Sequence, residues 1–259
     1  MTKIDRTTKG TPAEGSKPNA LRHSQEAFNE LKKGLISIAS HRHRLEAFRD
    51  FVFFSAAALH NAVAKDERIE EEYLRRMGDY KTEDAQSFAQ LLAKLMMSLE
   101  ARPRDVLGEL YMDMGLGNAR TGQFYTPESV TRFISEITMG DIDKQFEKRG
   151  YITISEPAAG SGGMVLPAVE MLLERGHDPA RKMFVQAVDV DRTAALMCYV
   201  QLSLWNVPAE VVVGNSLTLE VRERWFTPAY HLFGWDARRS AELAAASTDP
   251  SEPEDLPAA

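Results

Sequence analysis

The sequence contains one cysteine, Cys198, among its 259 residues, so a disulfide within the chain is excluded. Its place in the apolar helical run 194–204 predicts a buried small side chain and not a nucleophile. His41 and His43 flank Arg42, but no cysteines or carboxylates accompany them at ligand spacing. No metal site is therefore predicted.

The sequence also lacks a long hydrophobic run. The longest, near residues 51–59, is too short to cross a bilayer, and the first residues have no signal-peptide core. With 44% hydrophobic and 27% charged residues, we expect a soluble, cytoplasmic protein without a membrane partner. The net charge of −7 argues against tight nonspecific DNA binding by the whole chain. Basic residues are in excess in residues 1–50, which permits either a basic face or an ordinary solvated helix surface.

A glycine-rich turn, EPAAGSGGM at residues 156–164, follows a β-favouring run and precedes a helix-like run at residues 165–175. Strand, glycine turn and helix in this order are typical of nucleotide-binding sites. Glycines such as Gly160 and Gly162 place no side chain between the backbone amides and a ligand. A tight turn that serves only the fold is the alternative.

Two further strand ends carry polar residues. A predicted strand over residues 182–188 ends on Asp189, whose carboxylate can accept hydrogen bonds from both hydroxyls of a ribose. The apolar run 211–213 leads to Asn215, whose amide both donates and accepts and so suits an adenine edge.

Upstream of these elements lies GQFYTP at residues 122–127. Thr126 can cap a helix and Pro127 suits its first turn, so a plain helix start is one interpretation. Taken together and in this order, the four elements resemble the adenine-N6 DNA methylases of the modification subunits in type I restriction systems. The resemblance covers roughly residues 105 to 220.

The resemblance implies a pocket for S-adenosyl-L-methionine. GQFYTP corresponds to the motif that lines this pocket, and EPAAGSGGM to the family's glycine turn, with Glu156 where Asp is usual. Asp189 matches the acidic ribose residue, and Asn215 stands where the family often carries Asp against the adenine amino group. The implied cofactor-binding residues are Phe124, Tyr125, Thr126, Glu156, Pro157, Ala158, Gly160, Gly162, Asp189 and Asn215.

The family holds its target adenine with Asn or Asp followed by two prolines and an aromatic ring, but no two prolines are adjacent in this sequence. The nearest candidate is Thr227-Pro228-Ala229-Tyr230, so the catalytic residues implied are Thr227, Pro228 and Tyr230 in a degenerate form. A threonine hydroxyl also donates, which makes it a poor substitute for the carboxamide oxygen that orients the amine. We therefore expect a preserved cofactor pocket with weak or absent catalysis.

A pass along the chain predicts four parts. Residues 1–20 should be a disordered tail, and residues 21–120 a helical amino-terminal domain that either packs on the sheet or contacts DNA and partners. Residues 121–236 should form an α/β, Rossmann-like S-adenosylmethionine-binding domain of parallel strands. Residues 237–259 should be a disordered acidic tail.

Several local features are predicted within these parts. Thr82 should cap one helix and Pro103 should begin the next. Pro167 should kink or delay the first crossover helix, and Asp191 should cap the second. The aromatic segment 225–235 should cover an open sheet edge, although its rings could instead stack on an extruded base.

Two functions follow from this sequence. One is a small, divergent S-adenosylmethionine-dependent DNA methyltransferase specific for adenine N6. The other is a noncatalytic cofactor-binding module, or a subunit whose protein partner supplies target recognition and the missing base-holding motif.

Overall fold

The computed structural model describes residues 16–38, 42–117, 130–132 and 142–248. These residues form a helical region followed by a four-stranded sheet with helical crossovers. This arrangement confirms an α/β, Rossmann-like core of parallel strands preceded by a helical bundle. The domain limits themselves stay predictions.

The helical region is held together by apolar stripes at helical spacing. On the first helix Phe28, Leu31, Leu35 and Ile38 are all buried, as expected from their helical spacing. The described helices of this region are α1 (Ser16–Ile38), α2 (Arg44–Asn61), α3 (Glu67–Met77), α4 (Thr82–Leu99) and α5 (Val106–Asp113).

Some helix starts differ from the predictions. Thr82 is the first helical residue of α4 and not its cap, since Lys81 occupies the cap position without a side-chain hydrogen bond. Helix α5 begins at Val106 and not at Pro103, because the Asp105 carboxylate caps it by accepting from Gly108 N at 2.8 Å. Helix α1 begins at Ser16, inside the segment predicted to be disordered.

The sheet has the order β1-β2-β3-β4 and contains the three predicted parallel strands. The fourth strand pairs antiparallel with β3 and was not predicted. Five of its seven residues are exposed or charged, so its sequence lacks the apolar run that marks a buried strand. The strands are β1 (Ile152–Glu156), β2 (Met183–Asp189), β3 (Ala209–Asn215) and β4 (Glu220–Phe226).

The crossover helices follow the predictions made for their starts. Pro167 lies in the first turn of its helix, which begins at Leu166, so the delayed start is confirmed. Asp191 caps the second crossover helix by accepting from Ala194 N at 3.0 Å. Along this part of the chain the helices are α6 (Ile142–Arg149), α7 (Leu166–Glu174), α8 (Pro179–Lys182) and α9 (Arg192–Leu204).

The end of the described chain is helical where a disordered tail was predicted from residue 237. After α10 (Pro228–Leu232), helix α11 spans Trp235–Thr248. Trp235 anchors it, because the indole is fully buried against Tyr151 and Phe184 and donates to Ala180 O at 2.8 Å. The prediction of a tail grouped the helix-forming residues 237–248 with the proline- and acid-rich residues that follow them.

No helix among the described residues has the length and apolar character needed to span a membrane. Likewise, the described residues contain no group of three or more His, Cys, Asp or Glu side chains arranged to hold a metal ion.

Candidate functional site

The glycine loop, residues 157–165, connects β1 to α7 and is fixed to the neighbouring strand. Ala159 N donates to Val188 O of β2 at 2.9 Å, and Gly162 N donates to Ala159 O at 2.8 Å. Gly162 has φ +97°, and a Cβ placed there would lie 3.3 Å from Cys198 Sγ on α9. Glycine is therefore required at this position by both its backbone conformation and its close packing.

Asp189, at the end of β2, contacts the glycine loop directly. Its Oδ2 accepts from Gly160 N at 2.7 Å, and its Oδ1 accepts from Asp191 N at 2.8 Å. Burial raises the pKa of the carboxyl, although these two backbone hydrogen bonds oppose the rise. Since each carboxylate oxygen has two lone pairs, each can accept one more hydrogen bond.

The other two strand ends carry side chains that brace their own turns. Glu156 Oε1 accepts from Ala158 N at 3.0 Å, and Oε2 takes no part in that hydrogen bond. Asn215 Oδ1 accepts from Leu217 N and Thr218 N at 3.0 and 3.3 Å. The carbonyl oxygen of Asn215 thus shapes the β3–β4 turn, and its NH2 group is its remaining polar function.

These strand ends meet at one edge of the sheet, which we call the carboxyl edge. Glu156 is in register with Ala187, and Asp189 with Val213, so each strand ends two residues beyond its predecessor. The structure brings together the glycine loop with Pro157 and Ala158, Asp189 and the start of the β3–β4 turn at Asn215. Phe124, Tyr125 and Thr126 lie outside the described residues.

The carboxyl edge is acidic around the only cysteine. Burial raises the pKa of the Cys198 thiol, and the negative charges of Asp105, Asp189 and Glu156 raise it further. The thiol is therefore protonated and inert as a nucleophile.

Thr227, Pro228 and Tyr230 are not part of this arrangement, which corrects their assignment as a degenerate catalytic motif. Because β4 is antiparallel, Phe226 pairs with Glu210 near the start of β3, at the opposite edge of the sheet. The length of β3 separates the two edges by about 20 Å at the usual rise per residue. Thr227 is fully buried, and its Oγ1 accepts from Ala209 N at 2.9 Å and donates to Val207 O at 2.7 Å.

The aromatic segment packs inward instead of lining a base pocket. Tyr230 contacts Phe226 with ring centroids 4.6 Å apart, and it joins Phe233 against the cluster that contains Phe184 and Trp235. The expected cover of the β3 edge is supplied by β4 itself, because its backbone forms the antiparallel ladder there.

Sequence reasoning missed two apolar side chains at the carboxyl edge. Val190 directly follows Asp189 and is 63% exposed, and Leu217 in the β3–β4 turn is 93% exposed. Large apolar side chains exposed beside polar groups are a feature of ligand sites. Adjacency to Asp189 and Asn215 is the signal that could have identified them.

Sequence reasoning also missed a polar network beneath the glycine loop, formed by Asp105, Ser161 and Gln201. Asp105 Oδ2 accepts a hydrogen bond from Ser161 Oγ, and its Oδ1 accepts from Gln201 Nε2 at 2.9 Å. Gln201 Nε2 also donates to Ser161 O at 2.7 Å, and its Oε1 accepts from Leu107 N at 3.1 Å. These residues are distant in sequence, so no local pattern connects them.

Residues 103–229, from just before α5 to the first turn of α10, match the family described as N-6 DNA methylase. The match covers just under half of the chain. We call residues 103–229 the N-6 methylase segment. It contains β1 to β4, the glycine loop and the polar network of Asp105.

Solved structures resemble the chain over more than the N-6 methylase segment. A putative class I S-adenosylmethionine-dependent methyltransferase from Listeria monocytogenes is 18% identical, with a TM-score of 0.44, over 73% of this chain and 52% of that one. A type I restriction-modification methyltransferase subunit from Streptococcus thermophilus is 17% identical, with a TM-score of 0.34, over 72% and 57%. A DrdV–DNA complex is 16% identical, with a TM-score of 0.32, over 88% and 27%.

The chain spans about half the length of the first two of these proteins and a smaller share of the third. A search of curated proteins finds no match. The N-6 methylase segment is methyltransferase-like by its match to the N-6 DNA methylase family.

Proposed function

We propose that the N-6 methylase segment binds S-adenosyl-L-methionine at the carboxyl edge. The observation that carries this proposal is the 2.7 Å contact between Gly160 N and the Asp189 carboxylate. It sets a glycine, which has no side chain, against an acidic residue, and a nucleoside needs both: close approach to the backbone and an acceptor for its diol.

The residues at this edge fit the cofactor in charge and shape. The cofactor has a sulfonium and an ammonium group, and two carboxylates, Glu156 and Asp189, lie at the ends of β1 and β2 on this edge. Opposite charges attract more strongly in a partly buried site than in water. The exposed side chains of Val190 and Leu217 supply apolar surface for the adenine ring.

Each residue then has a definite role in binding. Asp189 accepts hydrogen bonds from the ribose hydroxyls, and Glu156 Oε2 pairs with the ammonium group. Asn215 donates from its NH2 group toward the adenine, because its oxygen is committed to the β3–β4 turn. When bound, the cofactor supplies an electrophilic methyl group.

The methyl acceptor we propose is adenine N6 in DNA, on the strength of the family. The acceptor amine must be held with its lone pair toward the methyl group. Thr227 does not do this, because its hydroxyl is buried and bonded at the far edge. We therefore favour a cytoplasmic cofactor-binding subunit of a DNA modification system, whose partner chain holds the base and recognises the target, over an enzyme that acts alone.

Calorimetry tests cofactor binding. The wild-type protein should take up S-adenosyl-L-methionine, Asp189→Ala should abolish the heat, and Asp189→Asn should weaken it. Asp178→Ala is the matched control, since Asp178 caps α8 and accepts from Ala180 N without reaching the loop. Absence of uptake by the wild type would refute the proposal.

Methylation of DNA with labelled cofactor tests whether this chain binds the cofactor while a partner chain holds the base. The protein alone should transfer no methyl group to DNA, whereas addition of the partner subunit should produce labelled N6-methyladenine. Ordinary turnover by the protein alone would establish the single-chain enzyme in its place.

A further inference from the structure

Asp105 differs from the other aspartates that cap helices in this protein. Asp66 and Asp191 each accept from a backbone N–H of the helix that they cap, at 2.9 and 3.0 Å. Asp105 does the same for Gly108 N, yet its second oxygen accepts from Ser161 in the glycine loop, 56 residues away. Capping α5 requires only the first of these contacts.

Ser161 is held at both its side chain and its backbone. Its hydroxyl donates to Asp105, and its carbonyl oxygen accepts from Gln201 Nε2 at 2.7 Å. Gln201 is fully buried and also donates to Asp105 Oδ1, so α5, α9 and the loop share one closed network. A closed network of satisfied buried groups is rigid, because breaking one bond leaves others unpaired.

Two glycines allow this close approach. A Cβ at Gly108 would overlap both Asp105 Oδ2 and Ser161 Oγ, and a Cβ at Gly163 would lie 3.3 Å from Asp105 Oδ2. Because neither glycine has a side chain, the start of α5 and the glycine loop approach closely enough for Asp105 to accept from Ser161.

Ser161 directly follows Gly160, whose N–H points at Asp189. We propose that Asp105 is a positioning residue for the cofactor: by fixing Ser161, it holds the Gly160 amide and the loop in the shape that binds S-adenosyl-L-methionine. The inference rests on the proposed function. Through Asp105, the helical region influences the affinity of the carboxyl edge for S-adenosyl-L-methionine.

Cofactor affinity in full-length variants tests this role. Asp105→Ala should weaken S-adenosyl-L-methionine binding by about tenfold or more, the size expected for losing a hydrogen bond to a charged group. Ser161→Ala leaves the α5 cap intact and should weaken binding by a similar factor. Asp105→Asn should retain most of the affinity, because its NH2 group can donate to the serine hydroxyl, which also accepts.

The control is Asp66→Ala, which removes a helix cap of α3 that has no contact with the loop. It should lower the melting temperature and leave cofactor affinity unchanged. The double variant Asp105→Ala/Ser161→Ala should bind no more weakly than Asp105→Ala, since both changes break the same contact. Hydrogen exchange without cofactor should be faster at the Gly160 amide in Asp105→Ala than in Asp66→Ala.

The outcomes separate the two proposals. If the wild type binds no cofactor, the proposed function fails and this inference fails with it. If the wild type binds and Asp105→Ala or Ser161→Ala binds equally well, the cofactor site stands and the positioning role is refuted. Additive losses in the double variant would also refute action through Ser161.

Discussion

Replacing Arg192 should destabilise the protein more than replacing a residue of an exposed ion pair. Arg192 lies at the start of α9, and its Nη1 and Nη2 donate to the two carboxylate oxygens of Glu72 at 2.8 and 2.9 Å. Its Nε donates to Glu223 Oε2 on β4 at 3.0 Å, and its guanidinium lies 4.9 Å from the Phe53 ring centroid. One side chain thus ties α3, β4 and α9 together.

The charges in this cluster are mostly shielded from water. Their side chains are 27% exposed for Arg192, 26% for Glu72 and 34% for Glu223. Burial opposes the charge on Arg192, but its hydrogen bonds with Glu72 and Glu223 outweigh this and raise its pKa. Removing one member of a buried pair costs about 3–5 kcal/mol, and the partial exposure here reduces the expected loss to about 2 kcal/mol.

Urea unfolding and thermal melting of Arg192→Ala measure this loss. We expect the melting temperature to fall by about 4–8 °C, and Arg192→Lys to lose about half as much because it gives up the bidentate geometry. Arg68→Ala is the control, because the Arg68 side chain is 90% exposed beside Asp66 and its loss should change the stability little. Equal losses in Arg192→Ala and Arg68→Ala would refute the reasoning.

Three further predictions follow from the site and the sheet. Leu219 is exposed with φ +59°, so Leu219→Asn should stabilise the fold by about 0.5–1 kcal/mol in urea unfolding, while Leu217→Asn should not. Burial raises the pKa of Asp189, so its carboxylate becomes protonated at a higher pH than that of an ordinary aspartate. As the pH is lowered, cofactor affinity should therefore begin to fall at this higher pH. Asp189→Asn should remove that pH dependence in calorimetry; an unchanged profile would exclude Asp189 as its origin. Thr227→Val should cost about 2–3 kcal/mol by leaving Ala209 N and Val207 O unpaired, yet leave cofactor affinity unchanged; weaker binding would restore Thr227 to the site.

The sequence allowed the parallel strands and the glycine loop to be predicted because their signals are local. β2 and β3 are apolar runs that end on polar residues, and the glycines lie between a strand and a helix. Asp191 and Pro167 acted as expected, since capping and helix entry depend on a few neighbouring backbone groups.

The elements that escaped prediction depend on distant contacts. β4 is charged along most of its length, and only its ladder with β3 makes it a strand. Helix α11 is rich in Ala and Arg, which favour a helix, but the proline- and acid-rich residues after it suggested a tail; one buried indole fixes its start. The contact between Asp105 and Ser161 joins residues 56 positions apart. None of these interactions has a repeating sequence signature.

Thr227 illustrates a different kind of failure. Its sequence neighbourhood resembles a degenerate motif, and its distance after β3 is suitable for one. The intervening strand reverses direction, however, so the same residues arrive at the opposite edge of the sheet. Spacing along a chain does not determine position when one unrecognised strand intervenes.

Because Gly162 packs against Cys198, the reactivity of this thiol reports on the glycine loop. Cys198 is the only thiol in the chain, and burial keeps it protonated and shielded from reagents. Its rate of alkylation therefore reports how often the region around Cys198 opens, without any introduced label. A ligand that clamps the loop should slow that reaction in proportion to the fraction of molecules occupied.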